Sequence, residues 1–198
     1  MNIENIIFVV VLVISIILHE IAHGYAADKL GDPTARLQGR LSLNPLVHID
    51  WIGSVILPFF LVLSGAPFVL GWAKPVPFNP YNMKNPRTGA MIVAIVGPLT
   101  NLLLAIMGSL LLHVGIFGAG GNYFLMSLII TNIALAVFNL VPIPPLDGHH
   151  LLFGIIPTQF NHIKNFLRKY SFIILIIFVM YGWEFISPII MGLANILL

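Results

Sequence analysis

The residues of this chain best placed to do chemistry lie in Leu18-His19-Glu20-Ile21-Ala22-His23. On a helix, His19 and His23 are four residues apart, so both imidazoles project from one face, one turn apart. Two imidazoles at that spacing can hold one zinc ion, and Glu20, beside the first, is placed to act on water activated by the metal. The motif closes an apolar run from Ile6 to Leu18 in which Ser15 is the only polar side chain. Ionisable side chains at membrane depth are costly, and three within five positions point to function. Catalytic zinc takes three protein ligands and keeps one position open. With no cysteine in the chain, a third ligand must come from His, Asp or Glu. Asp147 is the best candidate, because it follows an apolar span that returns to the side on which the first helix ends. His149 and His150, directly after it, stay open as alternative ligands or as partners of the ligands.

The elements that must position these side chains are membrane spans. The chain has 198 residues, 59% apolar and 8% charged, with a mean hydropathy of +1.00. Globular domains are nearer a quarter charged. Several apolar runs reach the roughly 20 residues needed to cross about 30 Å of hydrocarbon. The expected fold is therefore an all-α polytopic membrane protein forming a single domain over residues 1–198. It should have about four to five transmembrane helices, plus a re-entrant segment and a small β-hairpin between the first two full spans. Met1 to Asn5 holds no Lys or Arg, and the apolar run continues into the metal motif, so a cleaved leader is not expected. The net charge of +2 comes from Lys and Arg near the membrane surface and forms no nucleic-acid patch.

In chain order, the first helix is expected from about Asn2 to Ala27, ended by Gly31-Asp32-Pro33. Ala35 to Leu43 alternates apolar and polar residues with period two, placing Leu37, Leu41 and Leu43 on one face and Arg36, Gln38, Arg40 and Ser42 on the other. That pattern predicts a strand, with Val69 to Phe78 as its partner. Such an edge would let an extended substrate pair by β-augmentation. Trp51 to Gly71 is apolar but interrupted by Pro58, Gly65 and Pro67. Basic residues cluster in 28–50, 72–88 and 148–170, whereas 114–122 has none. If 51–71 dips in and returns, all three basic segments share the cytoplasmic side, as the positive-inside rule requires. The N-terminus is then extracytoplasmic. Further spans are expected over Gly89–His113, with a kink at Gly97-Pro98, and over Tyr123–Val141. Pro142, Pro144 and Pro145 end the latter and leave Asp147 on an extended stretch. Ser171 to Leu198 should form one span and a shorter final helix.

Three stretches carry a resemblance: His19-Glu20-Ile21-Ala22-His23-Gly24, Gly97-Pro98-Leu99-Thr100-Asn101 and Asn139-Leu140-Val141-Pro142-Ile143-Pro144-Pro145-Leu146-Asp147-Gly148. Together and in this order they resemble the site-2 protease family of intramembrane zinc metalloproteases, in its compact prokaryotic branch without a PDZ or CBS domain. The resemblance implies that His19, His23 and Asp147 bind zinc and that Glu20 is the catalytic base. It implies that Asn139 and Asn101 face the substrate or steady the transition state. The implied activity is hydrolysis of membrane-anchored protein substrates within or near the bilayer of the prokaryotic cytoplasmic membrane. A membrane metal transporter or a non-catalytic binding scaffold would use the same ligands without hydrolysis. The sequence leaves the oligomeric state open.

Overall fold

The computed structural model describes residues 2–56, 59–60, 63–64 and 73–198. Helix α1 (Ile3–Lys29) is the apolar run and its histidine motif in one 27-residue rod, about 40 Å long at 1.5 Å per residue. It stops where Gly31 takes a φ of 107°, which a side chain would oppose, and Pro33 follows. Helices α3 (Pro86–Val114) and α4 (Ala119–Asn139) are also long and apolar enough to cross a membrane. Asn85 caps α3 by accepting the Thr88 N–H, and Gly115 in the left-handed region closes it. Only Phe117, Gly118 and the residues beside them separate α3 from α4, so the two run antiparallel.

Between α4 and the C-terminus lie α5 (Gly148–Ile155) and α6 (Asn161–Lys169). Then α7 (Ser171–Tyr181) and α8 (Trp183–Leu197) meet at Gly182 with a bend of 64°. Neither is long enough alone, and the bent pair counts as at most one further span. The core between α3, α4 and α8 is small-to-medium apolar packing: Ala105, Ile129, Ile133, Ile186, Ile190 and Ala194. A second cluster of Ala27, Met83 and Val93 seals the end of α1 against α3.

The expected β-hairpin is corrected. No strand exists among the described residues. Thr34–Leu37 is instead a single helical turn, α2, and Gly39 turns the chain with a φ of 64°. The alternation misled because the fold does not sort its two faces by burial. Leu37 and Leu43 are 78% and 69% exposed, while Arg40, from the opposite face of the pattern, is 7% exposed. Its guanidinium donates to the carbonyls of Val47, Lys74 and Pro75. Nine residues of alternation cannot separate a strand from a turn followed by a buried, carbonyl-bonded arginine. The β-augmentation edge at Ala35–Leu43 falls with the strand.

The segment 51–71, expected to be re-entrant, lies in part outside the described residues (57–58, 61–62 and 65–71), as does part of the partner stretch 69–78. Its flanks are described, and they meet. The Lys74 N–H donates to His48 O at 2.8 Å. Asp32, fully buried just beyond α1, accepts from the Asn79 N–H at 2.5 Å and the Asn82 amide at 2.7 Å, and from the Thr34 hydroxyl. Burial works against the charge of Asp32, but these hydrogen bonds outweigh it and hold the carboxyl below the usual carboxylate range.

Candidate metal centre

The α1 backbone places His19 and His23 on the face turned towards α3, with ring centroids 4.5 Å apart and planes nearly perpendicular. Their outward nitrogens are spoken for. His23 Nδ1 lies 2.7 Å from Val93 O. A backbone carbonyl only accepts, so Nδ1 carries the proton and Nε2 presents a lone pair. His19 Nδ1 lies 2.6 Å from Asn101 Oδ1, which fixes the same tautomer.

The two Nε2 atoms then point at each other, 3.0 Å apart. Asp147 Oδ2 joins them, 3.0 Å from His19 Nε2 and 3.1 Å from His23 Nε2. Three electron pairs converging at such distances repel one another unless a cation lies among them. The donor set fits zinc, which binds imidazole nitrogen and carboxylate oxygen at about 2.0–2.2 Å; tetrahedral placement spaces such donors about 3.3 Å apart. The ligand group has this composition and no other His, Asp or Glu among the described residues joins it. The imidazole side chains are 7% and 8% exposed and that of Asp147 is 20% exposed, so the cluster opens on the Asp147 side.

Asp147 arrives from α4 by a turn, with αR backbone of its own, and not on the extended stretch that the prolines predicted. Pro142, Pro144 and Pro145 remove backbone donors there, and the Pro144–Pro145 bond is cis. Gly148 follows because a Cβ at that position would run into the carbonyls of Leu140 and Val141. The alternative ligands lie elsewhere. His149 Nδ1 donates to Leu146 O at 2.6 Å, and the His150 ring packs on Phe78 with centroids 5.4 Å apart. Burial, then the neighbouring His149, push His150 down to about 4.

Glu20 sits half-buried between the ligands in sequence. One carboxylate oxygen, Oε2, accepts the Val76 N–H at 2.7 Å. Val76 belongs to the extended stretch Lys74-Pro75-Val76-Pro77, in which the prolines on either side of it have no N–H to offer. Asn101 is fully buried behind His19, so its side chain touches that imidazole and not an open face. The Asn139 amide donates back to Leu135 O at 3.0 Å, in the last turn of α4.

Two contributors escaped sequence reasoning. Gly97, read as half of a kink, is where α3 passes the imidazoles. A Cβ there would lie 2.7 Å from His19 Cε1 and would strike the His23 ring. The Val76 N–H carries no sequence signal beyond the prolines on either side.

Comparison with known proteins agrees with this geometry. A family profile described as Peptidase family M50 matches residues 7–119 and 111–182. YwhC of Bacillus subtilis, whose name carries the words zinc metalloprotease, is 37% identical over 181 residues, 86% of this chain and 79% of that protein. Rip2 of Mycolicibacterium smegmatis, similarly named, is 28% identical over 82% of this chain and 62% of its own length. The zinc metalloprotease MJ0392 of Methanocaldococcus jannaschii is 25% identical over 79% of this chain but only 36% of itself. No solved structure matches the chain. With the profile covering most of its length and the ligand triad drawn together among apolar helices, the chain belongs to Peptidase family M50.

Proposed function

We propose that this chain is a multipass, zinc-dependent endopeptidase of the prokaryotic cytoplasmic membrane that cleaves membrane-anchored proteins near the cytoplasmic side. The observation that carries the reading is the convergence of His19 Nε2, His23 Nε2 and Asp147 Oδ2 beside Glu20. In this reading those three residues hold zinc and Glu20 is the general base. Bound zinc polarises a peptide carbonyl and lowers the pKa of water towards neutrality. Glu20 takes a proton from the attacking water through the oxygen that Val76 leaves free, then passes it to the leaving amine. Val76 holds the other oxygen, so the carboxylate cannot rotate away. Asn139, in the last turn of α4 before the chain turns towards Asp147, faces the substrate in this reading.

The charge pattern supports the cytoplasmic side, and the joined flanks support a return to one face. Arg40 and His48 bond to Lys74 and Pro75, which supports a chain that leaves and re-enters the same face over 51–71. The basic segments then share the cytoplasmic side, and α1 and the Asp147 turn end there too. The whole chain 1–198 acts as one domain, since the ligands come from both of its halves.

The deciding experiment is elemental analysis of the purified protein beside His23→Ala, Asp147→Ala and Glu20→Gln, with a single-span reporter for cleavage. About one zinc per wild-type chain, lost in the first two variants, is expected. Glu20→Gln should keep the zinc and lose cleavage by a factor on the order of 10² or more. A Glu20→Gln variant that still cleaves would remove Glu20 from the chemistry, whereas a zinc-loaded wild type that cleaves nothing would favour a metal-handling role.

A further inference from the structure

His19 and His23 fix their tautomers by different means. His23 uses a backbone carbonyl directly. His19 uses Asn101, and a side-chain amide can present either its oxygen or its nitrogen. Something must decide which way Asn101 faces.

The decision is made two residues further out. Asn101 Nδ2 donates to Asn132 Oδ1 at 2.8 Å. Asn132 in turn donates from Nδ2 to Leu128 O and to Ser15 Oγ, both at 2.9 Å. Leu128 O is a backbone carbonyl and can only accept, so Asn132 must turn its nitrogen towards it. Its oxygen is then forced towards Asn101, whose own nitrogen must answer. The oxygen of Asn101 is left for His19 Nδ1, which must carry the proton. The chain of bonds has one polarity, set at a helix carbonyl and delivered to Nε2 as a lone pair. Asn101, Asn132 and Ser15 are all 0% exposed. No water competes for these groups, so each bond acts at low local dielectric. The sequence had marked one member: Ser15, His19 and His23 are spaced by four and share a face of α1.

We infer that Asn132 is a positioning residue for the metal centre, acting through Asn101 on the tautomer of His19, with Ser15 and Leu128 O orienting it. This inference rests on the reading of His19, His23 and Asp147 as zinc ligands. Asn132 touches no ligand itself. Its separation of 117 residues from Ser15 explains why composition and spacing do not single it out.

The test uses the full chain in detergent, zinc affinity by chelator competition, and ¹⁵N-histidine NMR of the zinc-loaded protein. Wild type should bind about one zinc and show the His19 proton on Nδ1. Asn132→Leu keeps the side-chain volume but removes the acceptor for the Asn101 amide, so the polarity is no longer set; Asn132→Asp keeps that acceptor and with it the polarity. Asn132→Leu should weaken zinc binding by about 10–100-fold, and the Nδ1 proton signal of His19 should broaden or move while that of His23 stays; Asn132→Asp should lose much less. A packing role alone would spare Asn132→Leu. Wild-type zinc affinity and an unmoved His19 signal in Asn132→Leu overturn the inference. If neither variant folds, the wild-type spectrum still decides, because a His19 proton on Nε2 is incompatible with the relay. A wild type that binds no zinc overturns the metal-centre reading itself, and the relay loses its object.

Discussion

At the scale of single residues, the site depends as much on an atom group that is missing as on those present. Gly97 lets the α3 backbone lie against both imidazoles. Gly97→Ala inserts a methyl 2.7 Å from His19 Cε1 and closer still to His23, in a centre whose ligand atoms are already about 3 Å apart. The rings must turn, and zinc affinity should fall at least tenfold, by the measure of lesions to ligand orientation. Gly192→Ala, on α8 with nothing within 4 Å of the new Cβ, should leave binding unchanged in the same chelator competition. The histidine motif was legible because its ligands sit on one helix turn and need no tertiary knowledge. The place of Asn101 was not legible, since its partner is 82 residues away. The motif announced a functional asparagine but gave no means to tell a ligand's partner from a substrate contact.

At the scale of elements, the long helices were readable because a bilayer demands about 20 apolar residues and little else. Ends differed by a few residues, as where α4 begins at Ala119 rather than Tyr123. The described part of the segment between α1 and α3 was misread because side-chain hydrogen bonds, which follow no periodicity, hold it together. Arg40 gathers three carbonyls, and Asp32 gathers Thr34, Asn79 and Asn82. Their common product is the placement of Lys74–Pro77 across Glu20. Val76→Pro keeps this stretch extended but deletes the N–H that restrains Glu20. Cleavage of a reporter should drop about tenfold or more, at unchanged zinc content, as expected when a general base loses its orientation. Val76→Ala retains the N–H and should lose much less, although the valine packs on Gly24. Equal losses in both variants would assign Val76 to packing alone.

For the whole molecule, the distribution of charge and the joined flanks of 51–71 predict one topology. A cysteine introduced at Lys84, in otherwise cysteine-free protein, should react with an impermeant thiol reagent only after the membrane is opened. Labelling of intact cells would instead place 72–88 outside and make 51–71 a plain crossing. The general architecture, apolar spans bringing a histidine pair and a distant aspartate to one depth, was visible from run lengths and motif order. The angle of 64° between α7 and α8 was not. Gly182 and Pro188 mark a break, but the bend is set by how Ile186, Ile190 and Ala194 dock between α3 and α4.

The separation of the ligands along the chain has a consequence for biosynthesis. His23 and Asp147 are 124 residues apart, and between them lie the two helices that must insert before the aspartate can return. At about 5–20 residues per second of synthesis, roughly 6–25 s pass between their emergence. Throughout that interval a nascent chain has two imidazoles and a glutamate in place but not the carboxylate that completes the cluster. It is an unarmed protease while its neighbours are being threaded into the same membrane, and it arms itself only when its own fold is nearly complete.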